Sequence, residues 1–598
     1  MLRSIFRHLL ENLTTRVDHR LGWHRLPTLF GLISLVGIRK RLRSRNLYDT
    51  GRPMPGASPR QEPPVRYRTA RTADGTYNDL DHPTMGSAGA RFGRNVPIAE
   101  THPNPDLMLR PNPRTVSREL MTRDEFVPAP TLNVLAAAWL QFMIRDWFSH
   151  GKSPHENPWE VSIADDDPWP ERPMRIMRTP PDPTRTPDED AAGLPPTYVN
   201  VETHWWDGSQ IYGSNAEIQA KVRLGEDGKL RIGEDGLIPV DPRSDKHPAD
   251  EPGFWVGIAM LHSLFAREHN AICDRLKADA PKLSDDDLFD RARLVNSALL
   301  AKIHTVEWTT AIIGHPALQI GMRANWWGIL GERINRLVGH IGDGEVLSGI
   351  VGSKTHHFDV PYSLTEEFVA VYRMHPLMPD DYAFRSCATD QLLQERQFPQ
   401  ISGRNALELF GAVSMEDLYY SLGIANPGAV ILHNFPRTMQ FLERPDGIVQ
   451  DLAATDILRS RELGVPRYNQ FRRLLHLKPI KTFEELTGNS RWLEELRRVY
   501  DDDVELLDLM VGMYAEELPK GFGFSDTAFR IFALMASRRL NSDRFFTTDF
   551  TAEVYSQAGL DWIADNDMSS VLVRHLPSVK PALKDVKNAF APWTRVAV

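Results

Sequence analysis

Apolar residues recur at helical spacing through most of the chain beyond residue 130. The clearest case is NVLAAAWLQFMIRDWFS, from Asn133 to about Ser149, with Gly151 just beyond it as a stop signal. Similar patterns predict helices over 254–280, 285–313, 325–338, 364–375, 403–421, 484–515 and 525–539. Strand signals are few and short, and no internal repeat is evident. The sequence therefore predicts a mainly α fold with few short strands.

The chain before residue 131 has a different pattern. Residues 1–50 place basic and aromatic side chains around the apolar run LPTLFGLISLVGI, which RKRLRSR follows. That run is too short to cross a hydrocarbon core, which needs about 20 residues. We expect either an amphipathic helix at a membrane surface or a helix packed on the main body. Residues 51–130 are rich in Pro, Arg, Asp and Asn and predict an extended arm, so 131–598 is the expected catalytic domain.

Composition narrows the function classes. The net charge of −9 argues against nucleic acid as a partner. Only two cysteines occur, Cys273 and Cys387, which excludes a disulfide framework and permits a reducing compartment. We expect a cytoplasmic protein, with peripheral attachment to a membrane through the N-terminus as an option.

The stretch PYSLTEEFVAVYRMHPLMPDD, residues 361–381, carries the main candidate chemistry. Its apolar spacing predicts a helix that Pro376 breaks directly after His375, with Tyr372 and His375 one turn apart on one face. A histidine at the end of a packed helix can bind an iron, and a tyrosine beside it can be oxidised by that iron. From the residues alone, a core histidine beside a core tyrosine is the more frequent explanation.

The run Tyr-x-x-His-Pro-Leu at Tyr372 resembles the proximal-haem segment of the cyclooxygenase-type haem peroxidases. The wider TEEFVAVYRMHPLMPD is similar to the fatty-acid α-dioxygenases of that superfamily, and LFAREHN and RSRELGVPRYNQFRR resemble two further superfamily motifs. The resemblance implies a haem peroxidase-like helical catalytic domain, haem b on His375 and a radical-forming Tyr372. Arg467 and Arg472 would pair with haem propionates, or equally well form structural ion pairs.

A turn-rich segment, THWWDGSQIYGS at 203–214, offers oxygen ligands. Such ligands suit Ca²⁺, although an Asp-Gly turn alone would explain the pattern. The segment resembles the calcium loop of the superfamily. The resemblance implies that the side chains of Thr203, Asp207 and Ser209, the carbonyl of Trp205 and the carboxylate of Asp146 bind the ion.

The distal haem helix departs from the family pattern. The α-dioxygenases carry Gln-x-x-x-His-Asp there, and QFMIRDW keeps Gln141 and Asp146 but has Arg145 at the histidine position. Arginine stays protonated and cannot act as the base that peroxide activation needs. Peroxide activation could then be slow, Arg145 could stabilise the departing oxygen while a water moves the proton, or the chain could be a weakly active haem- and lipid-binding relative.

Two segments resemble the part of the α-dioxygenases that holds the fatty-acid carboxylate. AKIHTVEWT contains His304 and Thr309, and ASRRLNSDRFFTTDF contains Arg538 and Arg539, of which Arg539 is preferred. Taken alone, these residues would more often be a core histidine and a surface charge.

The resemblance therefore implies an oxidoreductase that adds O₂ to long-chain fatty acids through a tyrosyl radical and gives 2(R)-hydroperoxy fatty acids. A peroxidase of small reductants and a non-enzymatic haem- or lipid-binding protein are the alternatives.

Overall fold

The computed structural model describes residues 14–51, 62–340, 344–444 and 447–596. A helical stretch covers 14–21. The longer helices that follow are α1 Thr28–Arg45, α2 Val134–Trp147, α3 Ala216–Val222, α4 Val256–Asp279, α5 Asp285–Ile303, α6 Pro316–Trp327, α7 Glu332–Val338, α8 Asn405–Ala412, α9 Met415–Ile424, α10 Leu452–Glu462, α11 Tyr468–Leu474, α12 Ser490–Val499, α13 Leu509–Ala515, α14 Asp526–Ser542, α15 Gln557–Asp565 and α16 Met568–His575.

Shorter elements connect these helices. The short α-helices are Pro113–Val116, Pro187–Ala191, Ser209–Tyr212, Thr309–Ile312, Glu345–Ser348, Glu366–Val371, Ala552–Tyr555 and Lys580–Leu583. The strands form three antiparallel hairpins, β1 Trp159–Val161 with β2 Met174–Ile176, β3 Asp381–Arg385 with β4 Leu392–Gln397, and β5 Leu442–Glu443 with β6 Val449–Gln450. The mainly α fold with few short strands is thus confirmed.

Helices α2, α4 and α5 form the centre of the main body. Helix α4 packs against both α2 and α5. Almost every side chain of α2 is buried, and only Gln141 and Ile144 are half-buried. A helix that is apolar on most sides can only be stable inside a large core. The position of α2 is therefore set by packing on all its faces.

Several predicted helix boundaries are wrong. The expected helix 325–338 is two helices, α6 and α7, because Gly328 and Gly331 adopt positive φ between them. The expected helices 403–421 and 484–515 are each divided in two. The segment 285–313 is nearly continuous, but it contains a π-helical turn at His304–Trp308.

The proximal stretch also differs from its prediction. Its helix, Glu366–Val371, ends before Tyr372, and a 3₁₀ turn, His375–Leu377, begins at the histidine. Tyr372 and His375 therefore do not share one face of one helix. The break comes earlier than expected because Tyr372, at φ −85° and ψ 2°, already leaves the helical conformation.

The N-terminal helix packs on the main body, which was one of the two expectations. Helix α1 lies against α6 and α14. Residues 1–13, which the N-terminal prediction includes, lie outside the described residues. The described part of the expected arm contains 3₁₀ turns at Val65–Arg68, Ile98–Glu100 and Pro105–Leu107, followed by the short α-helix Pro113–Val116 and a π-helical turn at Ser117–Met121. Among the described residues, no helix is long and apolar enough to span a bilayer.

Two glycines in adjacent helices test the packing. A Cβ on Gly423 would lie 2.2 Å from the Trp593 ring, whereas a Cβ on Gly411 would have no atom of another residue within 4 Å. We expect Gly423→Ala to lower the free energy of unfolding by about 1–3 kcal/mol through overpacking. The control Gly411→Ala should raise it by up to about 1 kcal/mol through helix propensity. Urea unfolding of both variants measures this, and equal effects would contradict the packing described.

Candidate active site

His375 is accessible within an otherwise buried segment. Its side chain is 30% exposed, while the neighbouring Pro376 and Leu377 are buried. The His375 Nδ1 atom lies 3.0 Å from Asp456 Oδ2. A carboxylate at Nδ1 orients an imidazole and leaves Nε2 for a metal. His375 is therefore placed and oriented as an iron ligand would be.

Asp456, which sequence reasoning missed, is itself buried and held by Arg373. Burial raises the pKa of Asp456, but the charges of Arg373 and His375 outweigh that effect, so the pKa lies below its usual value. Asp456 is thus an anion at neutral pH. It lies on α10 within LAATDILRSRE, where its position before two arginines was the available signal.

Tyr372 is buried among aromatic rings. Its ring stacks on Phe532 at 4.2 Å between centroids and meets Trp147 edge-on at 5.1 Å. Burial raises the pKa of Tyr372 far above its usual value, so the side chain is a neutral phenol. A buried neutral phenol loses its electron and proton together, which is the behaviour of a hydrogen-atom relay.

Trp147, which has no motif of its own in the sequence, contacts two of the predicted substrate residues as well as Tyr372. Besides Tyr372, its indole meets His304 edge-on at 5.1 Å, and the guanidinium of Arg539 lies 4.4 Å from its ring centroid. Trp147 is the last residue of α2 and is fully buried. Residues from three other, distant parts of the chain therefore meet at this one side chain.

His304 is a neutral hydrogen-bond donor. Trp139 Nε1 donates to His304 Nδ1 over 3.2 Å, so the ring proton lies on Nε2. Burial, and then the positive charge of Arg539, lowers the pKa of His304 well below its usual value. The ring also stacks on Trp308 at 4.7 Å. This geometry leaves Nε2–H available to an acceptor.

The two adjacent arginines of α14 have different environments. Arg538 Nη2 donates to the carbonyls of Val360 and Pro361. Arg539 lies over the rings of Trp147 and Trp206, and its Nε and Nη2 atoms have no hydrogen-bond partner among the described residues. A buried guanidinium with unused donors is a site for an anion. Thr309, the other predicted carboxylate ligand, donates instead to the His304 carbonyl at 2.8 Å.

Gln141 and Arg145, the residues expected on the distal side of the haem, both contact one segment, residues 252–255. Gln141 donates to the Gly253 carbonyl at 3.0 Å and accepts from Trp255 Nε1 at 2.6 Å. Arg145 is 4% exposed, contacts Asp241 Oδ2 at 3.1 Å and donates to the Pro252 carbonyl at 3.2 Å. Arg145 is thus an ion-paired cation inside the protein.

Four of the five expected calcium ligands, Asp146, Thr203, Asp207 and Ser209, lie together where α2 meets the 203–209 loop. Asp146 Oδ1 accepts from the Ser209 amide at 2.6 Å and from Ser209 Oγ at 3.0 Å. Asp146 Oδ2 and Thr203 Oγ1 are buried without a hydrogen-bond partner among the described residues. Burial, and then the charge of Asp207, raises the pKa of Asp146 to about 8.

These oxygens fit a cation, because a bound ion would satisfy both unpartnered atoms and offset the repulsion between two carboxylates. Arg293 already pairs with Asp207 at 3.1 Å, so part of that charge is compensated. No group of three acidic, histidine or cysteine side chains that could hold a metal occurs in the described residues. Hydroxyl and carbonyl oxygens would therefore have to complete the ligand set.

The arginines expected at the propionates take part in ion pairs. Arg467 binds Asp508 and donates to the carbonyls of Leu107 and Arg110. Arg472 binds Glu516 at 3.3 Å and Thr527 at 2.6 Å. The structural role that the sequence left open is thus observed for both, and their propionate role stays a prediction.

Comparison with known proteins agrees with this arrangement. The sequence pattern of the family described as animal haem peroxidase matches residues 70–589. The chain is 40% identical to α-dioxygenase 1 of Capsicum annuum, over 96% of this chain and 90% of that protein. The crystal structure of the fatty acid α-dioxygenase from Oryza sativa superposes with a TM-score of 0.90 at 36% identity, covering 99% and 98% of the two chains.

A more distant structure, peroxidase A of Dictyostelium discoideum, shares the fold with a TM-score of 0.64 at 19% identity. The family pattern covers most of the sequence, and the chain belongs to the animal haem peroxidase family. Within that family it is an oxidoreductase of the α-dioxygenase group.

Removing the metal tests the cation site. We expect Ca²⁺ to raise the thermal unfolding temperature of the protein, because saturation at about 100 times Kd adds about 2.7 kcal/mol to the folded state. Asp146→Asn should abolish this shift, since an amide cannot supply the missing charge. Differential scanning calorimetry with Ca²⁺ or with EGTA measures the effect. The exposed Asp279→Asn is the control, and a full Ca²⁺ shift in both variants would contradict the site.

Proposed function

We propose that the chain oxygenates long-chain fatty acids at the α-carbon, with O₂ as co-substrate, and releases 2(R)-hydroperoxy fatty acids. One observation carries this proposal: a buried phenol, a neutral imidazole and a guanidinium with unused donors, those of Tyr372, His304 and Arg539, all contact Trp147. A peroxidase of small reductants has no need of a buried anion site beside its oxidisable tyrosine.

The residues present fit a haem b. His375 would hold the iron, with Asp456 fixing the orientation of its ring. Helix α2 contacts the proximal segment through Trp147 and Tyr372. Its Gln141 and Ile144 side chains are only half-buried and so leave part of the helix accessible. Arg373 and Arg459, both in the electrostatic surroundings of Asp456, are further candidates for the propionates. The chemistry that haem supplies when bound is one-electron oxidation driven by a peroxide.

Tyr372 would carry that oxidation to the substrate. The phenol loses one electron and one proton, and the resulting radical takes a hydrogen atom from the α-carbon. O₂ adds to the carbon radical, and the peroxyl radical takes a hydrogen atom back from Tyr372. The balance is one fatty acid and one O₂ for one 2-hydroperoxy acid, with the tyrosyl radical regenerated.

Arg539 and His304 determine which carbon reacts. The free Nε and Nη2 donors of Arg539 and the Nε2–H of His304 would bind the two carboxylate oxygens, and Thr309 would contribute after its hydroxyl rotates. Charge-assisted hydrogen bonds are strong where water is excluded. Because these donors and Tyr372 all lie around Trp147, a fixed head group would leave the adjacent methylene nearest the phenol.

Arg145 would make activation slow without abolishing it. Its guanidinium is engaged by Asp241 and the Pro252 carbonyl, and arginine cannot take a proton from a peroxide. Few tyrosyl radicals then form at first, and the hydroperoxide product accelerates later turnovers. This accounts for an intact substrate site beside a distal position that lacks a base.

The proposed enzyme would also have a bound cation, a membrane contact and a cellular compartment. Ca²⁺ would occupy the site formed by Asp146, Thr203, Trp205, Asp207 and Ser209. The N-terminal region would contact a membrane peripherally, and the products would be oxylipins. The two free cysteines support a reducing compartment such as the cytoplasm.

Oxygen uptake tests the reaction. Purified haem-loaded protein given palmitate, with no reducing co-substrate, should consume O₂, and Tyr372→Phe should lower the rate by at least about 10³-fold because no hydrogen-atom acceptor remains. Tyr67→Phe is the control. A tyrosyl signal in electron paramagnetic resonance after peroxide should appear only with Tyr372 present. Turnover only with small reductants would favour a peroxidase, and a haem spectrum with neither radical nor turnover would favour a binding protein.

The distal position has its own test. Arg145→His supplies a group that can accept and return a proton near neutral pH, so the lag before O₂ uptake should shorten several-fold. Arg145→Lys keeps a positive charge without a base and should leave the lag long. The lag is read from oxygen-electrode traces at low initial peroxide, and an unchanged lag in Arg145→His would remove Arg145 as its cause.

A further inference from the structure

We propose that α1 and the segment 316–348, of which 316–340 and 344–348 are described, together form one surface that docks on an anionic lipid bilayer and receives the fatty acid from it. This surface, here called the docking face, rests on the proposed function for its substrate and extends the expected N-terminal contact to a second part of the chain. The observations that carry it are exposed apolar side chains, basic residues around them and contacts to the substrate site.

Helix α1 exposes large apolar side chains on the face opposite the main body. Its inward face carries small residues such as Gly31 and Gly37 beside the apolar Ile38, all of them buried. Two further large apolar residues, Leu29 and Phe30, are 66% and 61% exposed. Small residues allow close helix contact, while outward apolar residues are stable only when something other than water covers them.

The segment 316–348 continues this exposed apolar surface. Ile320 lies on α6, and Ile329 and Leu330 follow its end, each more than 40% exposed. On α7 and the short helix after it, Leu337 and Leu347 are 84% and 51% exposed. Nearly half of the exposed large hydrophobic side chains of the described residues lie on α1 and this segment, which make up less than a tenth of the 598 residues. Such concentration marks an interaction surface.

Polar contacts hold the two parts of the docking face together. Arg39 and Arg43 of α1 both bind Glu345, at 3.2 and 2.7 Å, and Arg39 also donates to Asn325 of α6 at 2.7 Å. Within the segment, the Ile329 amide donates to the Val346 carbonyl at 2.9 Å. The exposed side chains therefore belong to one joined layer.

The charge of this layer selects the partner. The chain as a whole carries −9, yet no acidic residue occurs from His19 to Tyr48, where seven arginine and lysine residues lie. Lys40 is on the same face of α1 as Leu29 and Ile33, and Arg323 and Arg333 are exposed on the second segment. Apolar side chains surrounded by cations on an acidic protein complement anionic head groups over acyl chains.

The docking face lies one layer from the carboxylate site. Helix α1 packs on α14, which carries Arg539, and α6 packs on the π-helical turn that carries His304. Arg43 Nη2 donates to Asn541, two residues beyond Arg539, over 2.8 Å. The docking face is therefore in direct contact with the elements that carry both proposed carboxylate donors.

Vesicle binding by the purified, haem-loaded full chain tests the inference. Co-sedimentation with vesicles of phosphatidylcholine and phosphatidylglycerol should exceed that with phosphatidylcholine alone, and added salt should weaken it. The double variants Leu29→Gln/Phe30→Gln and Leu337→Gln/Leu347→Gln should each lower the partition coefficient at least about tenfold, because each removes two apolar side chains without changing charge.

The matched control is Leu392→Gln/Leu393→Gln, two similarly exposed leucines on β4, which should bind as the parent does. All variants should keep the parent unfolding temperature and its O₂ uptake with micromolar dissolved fatty acid. Retained turnover with lost vesicle binding supports the docking face. If the parent protein binds vesicles but shows no turnover, the result supports the docking face and rejects the proposed reaction.

Three results of the vesicle assay would overturn the inference: no vesicle binding by the parent, equal loss in the β4 control, or an effect of the α1 pair alone. The last would reduce the surface to the N-terminal helix. A parent that elutes as a dimer, and as a monomer once Leu337 and Leu347 are replaced, would also overturn it by assigning the face to a second copy of the chain.

Discussion

The site depends above all on how the last turn of α2 is packed. Consecutive helical residues project about 100° apart, so Arg145, Asp146 and Trp147 point in three directions from one fully buried helix end. Arg145 contacts the 252–255 segment and Asp146 contacts the 203–209 loop. Trp147 contacts Tyr372 and His304. In the proposed enzyme, oxidation, cation binding and substrate positioning would all depend on the position of this single turn.

Unsatisfied buried polar groups distinguish the parts of this arrangement that await a ligand from those that are complete. Arg145 and Arg467 have their partners inside the protein, and they build structure. Arg538 keeps an unpartnered Nε but binds two backbone carbonyls, whereas Arg539 and Asp146 are equally buried and retain unpartnered atoms beside the expected site. Because burying such atoms is costly, they support the proposal that an anion meets Arg539 and a cation meets Asp146.

The same contacts connect the site to the outside of the molecule. Glu345 binds arginines of α1, and one of those arginines also reaches Asn541 on the helix of Arg539. The N-terminal helix is thus part of the wall behind the carboxylate site. A partner that covers α1 would therefore lie one layer of side chains away from Arg539.

The sequence by itself determined the helical class, because a period of 3.6 residues in apolar positions is a local property, and its motifs identified Tyr372, His375 and the loop at Asp207. It could not determine Trp147 or Asp456, since neither has a local signature, and their roles come from contacts between segments hundreds of residues apart. Helix ends near His375 and Gly328 were misjudged because tertiary packing outweighs local propensity. Which of Arg538 and Arg539 binds backbone carbonyls was likewise decided only by folding, because adjacent residues of one helix face different neighbours.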